Sequence, residues 1–149
     1  GRDTLWDTQT EELADEICAG CETDEEKVLA FYNWIIANLE YDHDCYPLFQ
    51  YFDVCKTLQT RQGICFDFSH LFAAFCRSQG IPCYAVDGIS RKNNADQHTW
   101  NRVYYDGTWW NVDITNDITS TANGKKLYGF HGLESAFVPD EDFFITKIY

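Results

Sequence analysis

One stretch decides how this chain folds: GICFDFSHLFAAF, residues 63–75. A glycine turn comes first, then a cysteine, and then apolar residues that recur at intervals of three and four. That spacing is typical of an amphipathic helix with one buried face. The residues of this face are Phe68, Leu71, Phe72, Phe75 and Cys76. The stretch therefore predicts a helix over residues 66–79 that begins next to Cys65 and ends before Gly80.

Cys65 stands at the start of this helix, where a thiol has unusual chemistry. A helix N-terminus carries unpaired N–H groups and the positive end of the macrodipole, so negative charge is stabilised there. The thiolate, which is the nucleophilic form of cysteine, is favoured in such a place. Asp67 in the first turn would oppose a thiolate, and we expect its side chain to point away. A lone cysteine on a helix is more often a small core residue, so the chain must also supply partners.

Composition indicates one folded domain. The chain has 149 residues, of which 45% are hydrophobic and 17% aromatic, enough to bury a substantial core. Its formal net charge of −13 argues against a nucleic-acid partner, because phosphate contacts need a basic surface. No apolar run approaches the length of a membrane span. We expect a single domain over residues 1–149, with residues 1–22 as an N-terminal helical extension.

Seven cysteines are many for a chain of this length. Cytosolic proteins seldom carry so many, and an odd number leaves one thiol unpaired. The count favours an extracytoplasmic protein, secreted or at the cell surface, with up to three disulfides and Cys65 free. Closeness in sequence suggests the pairs Cys18–Cys21, Cys45–Cys55 and Cys76–Cys83.

Helical patterns come first along the chain and strand patterns afterwards. Besides the cysteine helix, helices are expected over residues 8–20, after the capping box at residues 23–26, near residues 53–59 and from residue 139. Strands are expected over residues 82–89, 97–105, 108–114 and 135–138, with loop chemistry at residues 123–124. Helices followed by strands imply an α+β domain.

The dipeptide Asp106-Gly107 fixes how two of these strands pair. It is the strongest short signal for a two-residue hairpin loop. The pairs that follow are Tyr105 with Thr108, Trp100 with Asp113, and His98 with Thr115. Because side chains alternate between faces, His98 and Asp113 share one face as diagonal neighbours about 7–8 Å apart. One extra residue in the loop would place them on opposite faces.

The hairpin thus gives Cys65 two partners. Cys65 would attack a carbonyl, His98 would hold the proton and return it to the leaving amine, and Asp113 would orient the imidazole. The backbone N–H of Cys65 would donate to the oxyanion. A second oxyanion donor stays open among four side chains, which are Tyr41, Gln59, Gln62 and Trp100.

These residues resemble the transglutaminase-like superfamily, which shares the papain-type catalytic arrangement. The motifs that carry the resemblance are Tyr41-Asp42, Gly63-Ile64-Cys65, Gly80-Ile81-Pro82, the segments 98–103, 106–109 and 111–113, and residues 137–143. They extend over about residues 25–145. The resemblance implies a papain-like core in which the cysteine helix packs on an antiparallel sheet.

The resemblance also implies a thiol-dependent acyl transfer or amide hydrolysis. An acyl-enzyme would form on Cys65, and water or an amine would then take the acyl group. The implied substrate is a peptide or protein amide, such as a glutamine carboxamide or a cell-wall peptide. No cofactor or metal is expected. The alternatives are a non-catalytic module that binds peptide or cell wall, and a disulfide-exchange protein that uses Cys18 and Cys21.

Overall fold

Helices pack against an antiparallel sheet in the computed structural model of this protein, which describes residues 7–44, 54–91, 96–119, 121–122, 125–126 and 143–149. The helices in these ranges are α1 (Thr8–Ile17), α2 (Asp24–Asn38), α3 (Val54–Thr60), α4 (Cys65–Ser78) and α5 (Ile114–Thr119). The strands are β1 (Glu40–Tyr41), β2 (Gln62–Gly63), β3 (Cys83–Ser90), β4 (Gln97–Tyr105), β5 (Thr108–Val112), β6 (Thr121–Ala122), β7 (Lys125–Lys126) and β8 (Phe143–Ile148).

The main sheet has the strand order β5-β4-β3-β8, and every neighbouring pair in it is antiparallel. Two small sheets accompany it, a parallel pair of β1 with β2 and an antiparallel pair of β6 with β7. The expected α+β class, with the cysteine helix packed on an antiparallel sheet, is confirmed. None of the described helices is long and apolar enough to cross a membrane.

Helix α4 is the centre of the hydrophobic core. All five residues of its predicted apolar face are fully buried, and they pack with the buried face of α2. The helix begins at Cys65 and ends at Ser78, one residue earlier at each end than predicted. Gly80 has φ +74°, a conformation that favours glycine, and Ile81 N–H donates to the Cys76 carbonyl at 3.0 Å. Glycine thus ends the helix as the sequence indicated.

The β4–β5 hairpin has the predicted register. Tyr105 pairs with Thr108, and both residues of the turn have positive φ, 52° at Asp106 and 73° at Gly107. Such angles are what a two-residue hairpin turn with right-handed strand twist requires. The pairing continues as far as Asn101 with Val112.

Beyond this point the predicted strand was wrong. β5 ends at Val112 rather than at residue 114, and Thr115 lies in α5 instead of opposite His98. The Asp113 side chain accepts a hydrogen bond from Asn116 N–H at 3.2 Å and so caps the new helix. Ile114 and Ile118 are buried in the core, which compensates for the lost strand pairing.

Strand β8 was not predicted at all. It forms an edge of the main sheet by pairing with β3, with a register shift near Asp87 and Gly88. Most of its side chains are exposed, so no alternation of buried and exposed residues marks it. The elements expected near residues 123–124, 135–138 and 139–141 lie outside the described residues.

Two of the predicted disulfides were wrong, because Cys18, Cys21, Cys76 and Cys83 are all free thiols. The Cys18 thiol lies 3.9 Å from the Asp15 carbonyl and donates to it. Cys76 and Cys83 do lie together, but they share a hydrogen bond as thiols. Burial raises the pKa of Cys76 well above its usual value, so this thiol stays neutral inside the core. The third predicted pair, Cys45–Cys55, lies outside the described side chains.

Gly88 permits the close packing of the sheet against Trp100. A Cβ atom at position 88 would lie 2.7 Å from Trp100 Cη2, 2.8 Å from Trp100 Cζ3 and 3.1 Å from Phe143 Cβ. We expect Gly88→Ala to lower the free energy of unfolding by about 1–3 kcal/mol, as overpacking of a core does. Urea denaturation measures this loss.

The Trp100→Phe background provides the matched control for Gly88→Ala. Phenylalanine lacks the two ring atoms that would collide, so the alanine should cost less in this background than in the wild-type chain. An equal cost in both backgrounds would mean that steric conflict with Trp100 is not the cause.

Candidate active site

Cys65 is the first residue of α4 and is half-buried. Ile64 before it is extended, with φ −116° and ψ −178°, and its side chain has no acceptor to cap the helix. The N–H of Ile64 instead donates to Asp67 Oδ2 at 2.9 Å. A Cβ on Gly63 would lie 2.8 Å from Asp67 Cβ, so this turn needs glycine. The glycine of the Gly-Ile-Cys sequence is thus explained by the close approach of the Asp67 side chain to this turn.

The carboxylate of Asp67 is therefore directed at the backbone that precedes Cys65. Burial raises the pKa of Asp67, and the hydrogen bond from Ile64 partly offsets this. Asp67 thus holds the entry to the helix through its hydrogen bond with the backbone before Cys65.

A short parallel bridge holds a second segment beside the cysteine turn. Tyr41 of β1 pairs with Gly63 of β2, and Asp42 N–H donates to the Gly63 carbonyl at 2.8 Å. No strand signal marked either segment, since each is two residues long. The bridge places the Tyr41-Asp42 motif next to the N-terminus of α4. This closeness could not be predicted from the sequence, because Tyr41 precedes Cys65 by 24 residues.

Among the four candidates for the second oxyanion donor, Trp100 differs from the rest. It is fully buried, whereas Gln59 and Gln62 are exposed and Tyr41 is half-buried. A residue that meets substrate needs access, so the structure favours the other three over Trp100. Trp100 instead packs behind His98, with ring centroids 6.3 Å apart, and against Phe143 at 5.2 Å.

His98 connects the cysteine helix to the hairpin. Its Nε2 lies 2.7 Å from Asp113 Oδ2, and its side chain also makes a hydrogen bond with Cys65. The exposed fractions of the side chains are 21% for His98 and 10% for Asp113, so both are largely shielded from solvent. The three residues singled out by the sequence therefore lie together in one chain of hydrogen bonds.

The surroundings of His98 strongly favour its protonated form. Burial lowers the pKa of the imidazole, but the hydrogen bonds and charges of Asp113 and Cys65 outweigh it and raise the pKa to about 10. At neutral pH the ring is consequently an imidazolium cation. It can hold a proton for a leaving group and can stabilise a thiolate beside it.

Asp113 is held at both of its oxygens. Oδ2 faces His98, while Oδ1 accepts the Asn116 N–H as the cap of α5. Helix α5 is in turn fixed to α2 by a buried hydrogen bond from the Tyr32 hydroxyl to Asp117 Oδ2. The carboxylate that orients His98 is thus part of a helix end that is anchored in the core.

Outside this site, the described residues offer no second candidate active site or metal site. His70 is fully buried, and its ring lies 4.2 Å from that of Phe66 and 4.7 Å from that of Tyr149. The His43 ring lies tilted against that of Tyr41, at 4.9 Å between ring centroids. The described residues contain no group of three or more His, Cys, Asp or Glu that could hold a metal ion.

Comparison with known proteins supports the same family as the sequence motifs. A family model described as the transglutaminase-like superfamily matches residues 11–114. Kyphoscoliosis peptidase from Mus musculus is 30% identical over 127 residues, and the human protein is 31% identical over 116. These matches cover 76% and 70% of this chain but only 19% and 18% of the relatives, so the chain spans less than a fifth of their length.

Solved structures support the fold. A candidate cysteine protease from Cytophaga hutchinsonii is 32% identical with a TM-score of 0.61, over 72% of this chain and 37% of its own. The periplasmic domain of TgpA from Pseudomonas aeruginosa is 23% identical with a TM-score of 0.61, over 77% of this chain and 46% of that domain. The papain-like, transglutaminase-like core expected from the sequence is confirmed.

Replacing Asp113 with asparagine tests the cause of the raised pKa of His98. Asparagine keeps an oxygen that can cap α5 but removes the negative charge, so the pKa of His98 should fall clearly below about 10. An NMR titration of the His98 ring measures it. An unchanged pKa would mean that the carboxylate does not hold the proton on the imidazole.

The same variant should alter how stability depends on pH. Because the pKa of His98 is raised in the folded state, its contribution to stability is complete below the unfolded value of about 6.5 and is lost as the pH rises through about 10. The difference in unfolding free energy between wild type and Asp113→Asn should therefore shrink across this window. Asp113→Ala, which also loses the cap, should add a loss that does not depend on this titration.

Proposed function

Because the chain belongs to the transglutaminase-like superfamily, we propose that it is a thiol enzyme that attacks amide carbonyls through Cys65, His98 and Asp113. The observation that carries the proposal is the chain of hydrogen bonds from Cys65 through His98 to Asp113, placed at a helix N-terminus. This arrangement pairs a nucleophile with a proton carrier and an orienting carboxylate, which is the logic of nucleophilic catalysis.

The first half of the reaction would form an acyl-enzyme. The Cys65 thiolate forms a C–S bond with the amide carbon, and the carbonyl electron pair moves to oxygen, where the Cys65 N–H donates to it. As the oxyanion collapses, the C–N bond breaks and the amine leaves with the proton that the His98 imidazolium held. The product is a thioester on Cys65 and a neutral imidazole.

The second half would release the acyl group. Neutral His98 takes a proton from water or from an amine, which attacks the thioester carbon. The C–S bond breaks, and Cys65 leaves as a thiolate beside the renewed imidazolium. Asp113 keeps the same ring nitrogen of His98 facing it throughout, so the other nitrogen stays directed at the reacting groups.

We propose a peptide or protein amide as the substrate. The names of the relatives support this class: two are peptidases, and a protein from Yarrowia lipolytica that is 29% identical over 122 residues is a peptide-N(4)-(N-acetyl-beta-glucosaminyl)asparagine amidase. All three names describe action on peptide-linked amides. Hydrolysis is the reaction that these names support, and transfer to an amine uses the same acyl-enzyme.

We also propose that the protein works outside the cytoplasm, secreted or at the cell surface. Its support is that one of the solved structures similar to this chain is a periplasmic domain, whereas the free thiols among the described cysteines do not add to it. Labelling of intact cells with a maleimide that does not cross membranes tests it, with a cytosolic thiol protein as the internal control. Labelling only after lysis would contradict this location.

Alkylation of Cys65 at low pH provides the direct test of the nucleophile. Iodoacetamide at pH 6 should modify Cys65 rapidly, because Cys65 lies at a helix N-terminus and makes a hydrogen bond with His98. The half-buried thiol of Cys21 is the matched control within the same chain, and mass spectrometry of peptides distinguishes the two sites. Cys65→Ala should abolish both this fast labelling and any amidase activity.

The result also separates the enzyme from a binding module. If Cys65 reacts no faster than Cys21 at pH 6, and no thioester on Cys65 can be trapped from a peptide or cell-wall extract, the chain is a non-catalytic module with this fold. Retained activity in Cys65→Ala would remove Cys65 from the reaction.

A further inference from the structure

Two buried hydrogen bonds tie α4 to β4 directly behind Cys65 and His98. The Ser69 hydroxyl donates to the Thr99 carbonyl at 3.2 Å, and the Asn101 side-chain amide donates to the Ser69 carbonyl at 2.8 Å. Ser69, Thr99 and Asn101 are 2%, 5% and 0% exposed. We call these three residues the helix–strand clamp.

The clamp joins α4 to β4 close in sequence to the two reacting residues. Ser69 follows Cys65 by four residues, which is about one helical turn and 6 Å along the axis. Thr99 is the neighbour of His98 in β4. A shift of α4 along the sheet would therefore change the distance between Cys65 and His98. The clamp bonds oppose such a shift.

Apolar packing alone resists such a shift poorly. Contacts of Leu71 and Phe72 with the core gain free energy from buried area, which does not depend on direction. Hydrogen bonds weaken steeply with angle and distance, so they hold a helix at one position. Arg77 supplies this directionality at the far end of α4, through hydrogen bonds to the Cys83 and Tyr149 carbonyls. The clamp supplies it in the half of α4 where the nucleophile lies.

The polar side chain of Asn101 costs folding free energy at its buried position. Its amide nitrogen also donates to the Tyr84 carbonyl at 3.2 Å and lies 3.8 Å from Cys83 Sγ, so it connects α4 with β3 as well. Its Oδ1 is buried with no hydrogen-bond partner among the described residues. A buried polar atom without a partner costs free energy, which an apolar residue at this position would avoid.

We propose that Ser69 and Asn101 are positioning residues that set the separation of Cys65 and His98. The inference rests on the proposed function, since it concerns the geometry of the same nucleophile and base. A misplacement of about 1 Å can reduce a rate by about a hundredfold. Loss of one clamp bond should therefore lower the reactivity of Cys65 by more than the accompanying loss of folding stability would explain.

The test compares two serine-to-alanine variants of the same helix. Ser69→Ala removes the bond to Thr99, whereas Ser78→Ala removes a bond to the Phe75 carbonyl, 2.7 Å long, near the far end of α4. Iodoacetamide alkylation of Cys65 is measured from pH 5 to pH 9, and urea denaturation gives the stability of each variant. Both variants should unfold at a lower urea concentration than the wild type and should still be folded in the absence of urea.

The variants should differ in reactivity. We expect Ser69→Ala to lower the alkylation rate of Cys65 at pH 6 by about tenfold or more while leaving the rate at pH 9 close to that of wild type. Such a change in the pH profile reports a weaker Cys65–His98 pair, which general destabilisation would not produce. Ser78→Ala should keep the wild-type profile. Asn101→Ala, where it folds, should change the profile in the same direction as Ser69→Ala.

Two results would overturn the inference. One is a wild-type pH profile in Ser69→Ala, and the other is an equal change in Ser69→Ala and Ser78→Ala. Failure of the proposed function looks different, because the wild-type protein itself would then lack fast alkylation at pH 6.

Discussion

The carboxylate of Asp113 makes two hydrogen bonds at once, and the geometry of the whole site depends on them. One oxygen orients the imidazole of His98, and the other caps the helix that follows. The hairpin register brings Asp113 to the correct face, and the buried bond between Tyr32 and Asp117 holds the capped helix in place. The orientation of a single side chain is thereby tied to a strand, a helix and the core.

Polar contacts tie α4 to the sheet near both ends of the helix. Far from Cys65, the Arg77 side chain donates to the Cys83 carbonyl at 2.8 Å and to the Tyr149 carbonyl at 2.7 Å. Near it, Ser69 bonds to β4, and Thr99 Oγ1 donates to Asp87 Oδ1 at 2.7 Å. Asp87 in turn accepts from the Tyr149 hydroxyl at 2.7 Å, so the last residue of the chain joins the same layer. Directional contacts thus hold α4 against the sheet near the candidate site as well as at the far end of the helix.

Local patterns in the sequence were enough to predict the elements that carry Cys65 and His98 and the strand that leads to Asp113, although Asp113 itself caps α5 instead of lying in that strand. The periodicity after Cys65 predicted the buried face of α4, and the Asp106-Gly107 turn predicted the strand register. These are short-range signals, because a turn and a helical period are written in neighbouring residues. The catalytic roles of Cys65, His98 and Asp113 stay predictions for experiment.

Structural features that depend on contacts between residues far apart in the sequence could not be predicted in this way. The β-branched run around Asp113 reads as strand, yet the burial of Ile114 and Ile118 favours a helix, and only the preference of aspartate for helix caps hinted at it. The mostly exposed β8 shows no alternation, so its pairing with β3 is decided by tertiary contact. The thiols of Cys76 and Cys83 lie together as expected, but closeness in sequence does not determine the oxidation state. The hydrogen bonds of Ser69 and Asn101 join residues 30 or more positions apart, so no pattern in the local sequence indicates them.

Because Ile64 provides no acceptor at the start of α4, the most important helix of the fold begins without the usual side-chain cap. Serine or aspartate at position 64 would supply a cap worth about 1 kcal/mol by accepting a hydrogen bond from the second or third N–H of the helix. It would also give up the burial of the Ile64 side chain, which is 9% exposed. An oxygen there would stand beside Cys65 at the positive end of the helix, where the proposed thiolate needs stabilisation. Core packing and the proposed chemistry therefore both favour an apolar residue at position 64.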